Sequence, residues 1–278
     1  WDIQGKLLGQ PLYRLLGGAY RSKLRVYASG GMEKSDAELA DELKRHVADG
    51  FTAVKIRGGY PNPARDEQLM ALARDAVGAD IDVAIDAGQG YVPRPWSIKK
   101  AIEAVRRLNP YRPMWLEEPV RTDDVAGYAE IRAAADFPIA GGENLSGLVE
   151  ARPLIDQKAL DVVQADITHA GGIGETRRIA DYAHAHDVAW APHVFRSGVG
   201  FMAHLHLCTA QPNTMIFEYS RQAALRDELL IEMPRFEDGH LFPVDQPGLG
   251  VHLPDEILER FRYRPGTEQW FAVEGYRE

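Results

Sequence analysis

The chain has 278 residues, of which 45% are hydrophobic and 26% charged, and its formal net charge at pH 7 is −9. This length suits either one large barrel or two ordinary domains. The acidic balance argues against a nucleic-acid partner, since no basic tract is present to neutralise phosphates, and charges interrupt every long apolar stretch, which argues against a membrane span.

The first segment, residues 1–20, has a helical pattern over Ile3–Leu16. It does not begin with Met and has no signal-peptide core. We therefore expect it to be a linker helix that follows an upstream domain.

The first complete structural unit is a strand, a helix and a second strand. Val26–Gly31 is predicted to be a strand, and Ser35 with Glu38 three residues later predicts a capping box at the start of a helix. Apolar residues then recur at helical spacing up to Gly50, and Ala53–Arg57 is the next predicted strand.

The same alternation continues along the chain. Six further strands are predicted at Ile81–Asp86, Met114–Glu117, Pro138–Glu143, Val162–Asp166, Val188–His193 and Met215–Glu218. Eight strands alternating with helices predict a closed α/β barrel of the TIM type over residues 21–221. An open dinucleotide-binding sheet would need G-x-G-x-x-G after the first strand, which Gly30-Gly31-Met32-Glu33 does not provide. The Gly- and Pro-rich residues 222–278 are expected to pack on the barrel or on an upstream domain.

Nearly every predicted strand ends on a polar side chain. These residues are Arg57, Asp86, Glu117, Glu143, Asp166, His193 and Glu218. In a closed barrel they converge on the C-terminal rim, where barrel active sites lie. The alternative is that charged residues at strand ends are simply solvated.

Three of these residues, Asp86, Glu117 and Glu143, follow consecutive strands. Carboxylates this close raise one another's pKa unless a cation is present, and a set of hard oxygen ligands favours Mg²⁺ over zinc. In Glu117-Glu118-Pro119, strand alternation predicts that only one glutamate faces inward. We choose Glu117, because Glu118 precedes a proline and should point elsewhere.

Asp166 and His193 are predicted to form a dyad across the barrel. An aspartate beside a histidine fixes the tautomer and raises imidazole basicity, as a general base at neutral pH requires. On the other side, Lys55 and Arg57 share one face of the second strand. The divalent ion and Lys55 would hold a substrate carboxylate, so that loss of the α-proton gives a metal-stabilised enediolate, and Glu218 would hydrogen-bond the oxyanion if protonated.

The chain resembles the enolase superfamily, and within it the mandelate racemase-like subgroup. The motifs that carry the resemblance are Val54-Lys55-Ile56-Arg57, Ile85-Asp86-Ala87-Gly88-Gln89, Trp115-Leu116-Glu117-Glu118-Pro119, Gly142-Glu143-Asn144, Gln164-Ala165-Asp166-Ile167 and Pro192-His193. The resemblance implies a (β/α)7β-like barrel, Mg²⁺ as cofactor at the three carboxylates, the Asp–His dyad and Glu218 near the substrate carboxylate. It also implies an N-terminal α+β capping domain, which is missing from this chain.

Two positions depart from the pattern of the family. Its usual lysine-x-lysine is here Lys55-Ile56-Arg57, and Gly88 stands where an asparagine is common. Arginine is a poor proton acceptor, so a one-base reaction is favoured: dehydration of an aldonate or aldarate to a 2-keto-3-deoxy acid.

Two other functions stay open, a racemase or epimerase of a 2-hydroxy acid and a non-catalytic binding barrel. Further substrate contacts are predicted at Asn144, His169 and Arg196, and His204 and His206 are interpreted as core or surface histidines. The expected partner is a small sugar acid, with no nucleic acid and no membrane, and a homo-oligomer is expected. The single cysteine excludes an intramolecular disulfide and fits the cytoplasm.

Overall fold

The protein is described by a computed structural model that covers residues 1–32, 34–195, 197–221, 229–230 and 233–262. Eight parallel strands form its centre. They are β1 (Leu24–Ser29), β2 (Ala53–Arg57), β3 (Asp82–Asp86), β4 (Leu116–Glu117), β5 (Ile139–Gly141), β6 (Val162–Val163), β7 (Ala189–Trp190) and β8 (Phe217–Ser220).

The strands close into a barrel. Neighbours run in sequence order from β1 to β7, and β8 pairs with β1 in parallel, with Tyr27 opposite Glu218. A parallel bridge between Trp190 and Thr214, just before β8, joins the last two strands. The predicted TIM-type barrel is confirmed.

Helices cover the outside of the barrel. They are α1 (Asp2–Leu8), α2 (Leu12–Leu15), α3 (Asp36–Ala48), α4 (Pro63–Val77), α5 (Ile98–Leu108), α6 (Val125–Ala134), α7 (Leu148–Asp156), α8 (Ile173–Ala185), α9 (Gly198–Ala210) and α10 (Asp255–Arg260), with a 3₁₀ turn at Asn109–Tyr111. In the part of the chain that the structure describes, no helix has the length and apolar character to cross a bilayer.

The predicted capping box starts α3. Ser35 Oγ accepts from the Glu38 backbone N–H at 3.3 Å, and Glu38 Oε2 accepts from the Ser35 N–H at 2.9 Å. These bonds satisfy two amides that the first turn of a helix leaves free. The chain passes from α3 into β2, so this local signal marks the start of the first crossover.

The predicted single helix over Ile3–Leu16 is wrong, because the segment divides into α1 and α2. Gly9 takes a left-handed conformation with φ 60°, and Pro11 has no N–H to continue a helical hydrogen-bond ladder. The chain therefore turns between the two helices.

The C-terminal part of the chain joins the barrel at its first strand. A hairpin of β9 (Phe236–Glu237) and β10 (His240–Leu241) places β10 antiparallel to β1, with Leu24 opposite Leu241. The predicted boundary between 221 and 222 remains a prediction, since 222–228 lie outside the described residues.

The interior of the barrel combines small and large side chains. Buried residues there are Tyr27, Ala53, Ala84, Met114, Trp115, Ala140, Val162, Ala191 and Ile216. A second, larger apolar layer separates the strands from the helices. Four buried acidic side chains lie at or just after the carboxyl ends of strands, namely Asp86, Glu117, Glu143 and Asp166.

Candidate active site at the barrel mouth

Lys55 lies at the centre of a buried ion network. Its Nζ is 2.8 Å from Glu117 Oε1, 3.2 Å from Glu218 Oε1 and 3.7 Å from Asp86 Oδ2. Burial alone would lower the pKa of Lys55, but Glu117 and Glu218 outweigh it and hold that pKa well above the ordinary value. Lys55 is therefore a fixed positive charge.

Arg57 is the second cation on this side. It lies directly opposite Asp86 in the β2–β3 register, and its guanidinium Nη1 contacts Asp86 Oδ2. Burial lowers the pKa of Arg57, and Asp86 and Glu117 more than compensate, so the pKa is raised. Both cations of β2 are thus paired with carboxylates.

The carboxylate of Asp86 is costly to ionise here. Burial and the neighbouring Glu117 raise its pKa to about 7, against the opposing effect of Arg57 and Lys55. This is the behaviour expected where several carboxylates share a site without enough positive charge.

Glu117 faces the barrel interior, as predicted from strand alternation. It is fully buried, its Oε1 accepts from Lys55, and its Oε2 accepts from Trp115 Nε1 at 2.9 Å. The positive charges of Lys55 and Arg57 lower its pKa, although burial and Glu218 oppose them.

Glu118, which is expected to point elsewhere, is buried like Glu117. Glu118 is only 1% exposed, and its pKa is raised well above the ordinary value by burial and by the charges of Glu143 and Asp86. Its backbone has φ 44°, a left-handed conformation that interrupts strand alternation, so consecutive glutamates need not diverge. Thr122 Oγ1 donates to Glu118 Oε1 at 3.1 Å, while Oε2 has no hydrogen-bond partner.

Glu143 follows β5 and has a partner that the sequence did not indicate. The hydroxyl of Tyr91, from the loop after β3, contacts Glu143 Oε1, and Asn144 Nδ2 donates to the same hydroxyl at 2.7 Å. Burial and Glu143 raise the pKa of Tyr91, so it remains a neutral phenol. An aromatic residue five positions after a candidate ligand is too weak a signal to have revealed this contact.

The Asp166–His193 dyad is formed as predicted. His193 Nδ1 is 2.8 Å from Asp166 Oδ2, and His193 Nε2 points into the mouth, 3.9 Å from Glu143 Oε2. Burial lowers the pKa of His193, but Glu143, Asp166 and Glu218 raise it to about 10. Burial raises the pKa of Asp166, but the hydrogen bond with His193 and neighbouring charges hold it well below its usual range.

Glu218 is the residue expected to hydrogen-bond the oxyanion if it is protonated. Burial raises its pKa, but Lys55, His193 and the Val194 N–H lower it to about 2. Val194 N donates to Glu218 Oε2 at 2.6 Å. An ionised Glu218 cannot donate a hydrogen bond to an oxyanion, and its Oε1 lies 3.2 Å from Lys55 Nζ.

Two of the three other predicted substrate contacts lie within the described residues. Asn144 is half-buried at the rim beside Tyr91, and His169 follows β6 with its backbone N–H donating to Asp166 O at 3.0 Å. Arg196 lies outside the described residues.

The side chains of Asp86, Glu117 and Glu143 have the chemistry of ligands for a divalent cation. Within the described part of the chain, no three side chains converge closely enough to hold a metal as they stand. Asp86, Glu117 and Glu143 are instead paired with Arg57, Lys55 and Tyr91 respectively. Yet all three offer hard oxygen donors at the ends of consecutive barrel strands, and all three raise the pKa of buried Glu118, whose Oε2 has no hydrogen-bond partner. Such oxygens are the ligands that Mg²⁺ prefers.

Comparisons with known proteins identify the family. A family model described as Enolase C-terminal domain-like matches residues 38–257, so the chain belongs to this family. The predicted enolase-superfamily membership is confirmed.

The most similar relatives include sugar-acid enzymes. The chain is 33% identical over 265 residues to an arabinonate dehydratase of Saccharolobus solfataricus, covering 94% of this chain and 69% of the relative. It is also 33% identical over 281 residues to a D-galactonate dehydratase of Pectobacterium atrosepticum, covering 95% and 72%. Among solved structures, the 3,6-anhydro-D-galactonate cycloisomerase from Zobellia galactanivorans is 33% identical with a TM-score of 0.87, covering 94% of this chain and 72% of that one.

Proposed function

We propose that the protein is a Mg²⁺-dependent hydro-lyase that dehydrates an aldonate or aldarate to a 2-keto-3-deoxy acid. The observation that carries this proposal is the asymmetry of the site: one imidazole, held by Asp166, faces two cations that are fixed by carboxylates. The arabinonate and galactonate dehydratases among the relatives support the substrate class.

The residues proposed to hold Mg²⁺ are Asp86, Glu117 and Glu143. When bound, the ion would place positive charge beside the substrate carboxylate and offset the carboxylates that now hold His193 protonated, bringing this imidazole toward the range of a neutral base. Lys55 would contribute a second positive charge to the same substrate carboxylate.

In the proposed reaction, His193 Nε2 removes the proton from the α-carbon of the substrate. The electron pair of the C–H bond moves into the carboxylate and gives an enediolate. As the enediolate collapses, the β-hydroxyl leaves with the proton from His193, and water and an enol are formed. The enol tautomerises to the 2-keto-3-deoxy acid. Asp166 keeps the imidazole in the required tautomer throughout.

The proposal favours dehydration over racemisation. A racemase needs a proton acceptor on each face of the α-carbon, whereas Lys55 and Arg57 have raised pKa values and carboxylate partners. A single base is sufficient for a syn elimination, because the same imidazole can remove one proton and return it to the leaving group.

A library of aldonic and aldaric acids, including D-galactonate and D-arabinonate, tests the proposal when incubated with the protein and Mg²⁺ in deuterium oxide. Formation of a 2-keto acid from a subset of the library is the expected result. Exchange of the α-proton without 2-keto product would establish a racemase or epimerase instead. No turnover together with no Mg²⁺ binding would support a non-catalytic barrel.

A homo-oligomer in the cytoplasm is part of the proposal. The apolar residues Ile3 and Leu7 on α1, which are 74% and 81% exposed, support an oligomer, and Cys208, which is buried and in no disulfide, supports the cytoplasm. Light scattering on the purified protein measures the oligomeric state.

A further inference from the structure

A buried histidine that the proposed chemistry does not use lies directly behind the dyad. His204, on α9, is 1% exposed, and its Nε2 lies 3.4 Å from Asp166 Oδ1. Two residues along the same helix, His206 is equally buried but contacts a different part of the fold. Sequence reasoning alone does not distinguish the two histidines.

The hydrogen bonds of His204 define its tautomer. The backbone N–H of Ile167 donates to His204 Nε2 at 2.9 Å, so Nε2 carries a lone pair. Nδ1 lies 2.8 Å from the carbonyl oxygen of Gly200 and is therefore the protonated nitrogen. Burial lowers the pKa of His204, in agreement with a neutral ring.

His204 thereby anchors the turn that carries Asp166. The next residue, Ile167, is held by His204, and the one after it, Thr168, donates to Asp166 Oδ1 through its N–H at 2.6 Å and its hydroxyl at 2.7 Å. With Oδ1 engaged in this way, Oδ2 is the oxygen presented to His193 Nδ1. The direction of the carboxylate therefore depends on where the middle of the turn is fixed.

We infer that His204 is a positioning residue, which as a neutral hydrogen-bond acceptor fixes the 166–168 turn and so sets the orientation of Asp166 toward His193. The inference rests on the proposed function, in which His193 is the proton acceptor. It assigns His204 no contact with substrate. Loss of the acceptor should displace the imidazole from its working geometry, and such displacements reduce turnover strongly.

Three variants separate positioning from packing. His204→Gln keeps an acceptor near the Ile167 N–H, whereas His204→Leu removes it at similar volume. His206→Leu is the matched control. His206 accepts a hydrogen bond at 3.3 Å from the backbone N–H of Tyr13, which lies on α2 and not in the 166–168 turn.

With the sugar acid that the wild type converts, kcat of His204→Leu should fall by about tenfold or more. Its KM should change little. His204→Gln should recover most of the loss, and His206→Leu should lower the thermal midpoint while leaving kcat nearly unchanged. Equal kcat in His204→Leu and wild type, or equal losses in His204→Leu and His206→Leu, would overturn the inference.

A second measurement does not depend on the substrate. In protein labelled with ¹⁵N-histidine, the Nδ1–H proton of His193 should give a downfield signal because it is hydrogen-bonded to Asp166. This signal should be lost in His204→Leu and retained in His204→Gln and His206→Leu. Its persistence in His204→Leu would disprove the inference, even if the wild type converted no sugar acid and the proposed function failed.

If His204→Leu does not fold, His204→Asn takes its place. The shorter amide can still donate to Gly200 O but does not reach the Ile167 N–H, so the same loss of kcat and of the downfield signal is expected. Wild-type behaviour in His204→Asn would contradict the inference.

Discussion

The two sides of the barrel mouth differ in whether a side chain can exchange a proton. On the β2 side, Lys55 and Arg57 are buried cations whose pKa values are raised by carboxylates in contact with them. On the opposite side, Asp166 leaves one nitrogen of His193 open toward the mouth. The same excess of negative charge surrounds both sides, but only an imidazole has an ordinary pKa near neutrality.

This difference shows that an acidic site lined with titratable groups can still offer a proton acceptor on one side only. The ordinary pKa values of lysine and arginine are above 10. Nearby carboxylates raise these values further, so both side chains become poorer bases at neutral pH. The ordinary pKa of histidine is close to 7, so a change in the surrounding charge can make the imidazole a base at neutral pH. The chemistry of the site is thus decided by residue type at each strand end.

The largest expected effect is on the side that carries His193. His193→Asn removes the proposed base, so turnover of the sugar acid should fall by about 10²–10⁴-fold. Mg²⁺ affinity should stay nearly unchanged, since His193 is not a proposed ligand. Steady-state kinetics and calorimetric Mg²⁺ titration measure the two effects separately.

Asp166→Asn is the companion variant. It leaves the imidazole in place but without its carboxylate partner, so the loss should be smaller than in His193→Asn. If His193→Asn retains activity, the base must be sought on the Lys55 side and the contrast between the two sides is lost.

The next expected effect concerns the acidic cluster between the two sides. Glu117→Gln should weaken Mg²⁺ binding by about 10–100-fold, because it removes a proposed charged ligand. Glu118→Gln is the matched control at the adjacent position and should weaken binding less. Calorimetry on the purified variants measures both Mg²⁺ affinities. A larger loss of affinity in Glu118→Gln than in Glu117→Gln would assign the ligand role to Glu118 instead of Glu117.

A smaller gain of function is expected on the β2 side. Arg57→Lys replaces a guanidinium that cannot release its proton by an amine that can. The wild type should exchange or eliminate from one configuration at the α-carbon, and the variant should acquire measurable deuterium exchange on the other epimer. Proton NMR of recovered substrate in deuterium oxide detects this exchange. Similar exchange of both epimers by the wild type would show that Lys55 or Arg57 already acts as a base.

The smallest effect concerns the stability of the fold at low pH, which limits the pH range in which the two sides of the site can be compared. Burial lowers the pKa of His206 from its usual value near 6.5 to about 4. The unfolded chain then binds this proton at a higher pH than the folded chain, so stability is complete above pH 6.5 and declines as the pH falls toward 4. The loss amounts to at most about 3 kcal/mol.

Urea unfolding at a series of pH values measures this decline, which should be shallower in His206→Leu. Glu42 provides an internal contrast, because the interactions of its carboxylate with His46 and Lys34 outweigh burial and lower its pKa to about 2. Its contribution to stability is present above its usual pKa of 4.5 and is lost only at lower pH. A slope between pH 6.5 and 4.5 that His206→Leu leaves unchanged would contradict the prediction.

The sequence predicts the fold well where local signals and periodicity agree. The capping box at Ser35 and the strand over Ala53–Arg57 appear at the predicted positions, because both depend on residues close in the chain. The prediction fails between Gly9 and Pro11, where two breakers interrupt an apolar pattern that continues across them.

The site is predictable to the extent that strand ends define it. The Asp166–His193 bond follows from two adjacent parallel strands that each end in a polar residue. The burial of Glu118 depends on a left-handed backbone, and the contacts of Tyr91 and His204 join residues 52 and 38 positions from their partners. Neither this backbone conformation nor these long-range contacts can be recognised from the neighbouring residues in the sequence.

The pairing of β1 has a consequence for the order in which the protein assembles. One edge of β1 meets β2, which follows shortly after it, whereas its other neighbours, β8 and β10, come from near residues 218 and 241. A contact of α1 is equally distant in sequence, since a Cβ on Gly5 would lie 2.5 Å from Gly248 Cα. During synthesis on the ribosome, the first strand therefore waits with one edge open until most of the chain has emerged. Contacts of such long sequence separation slow folding and leave an unpaired edge exposed to other chains.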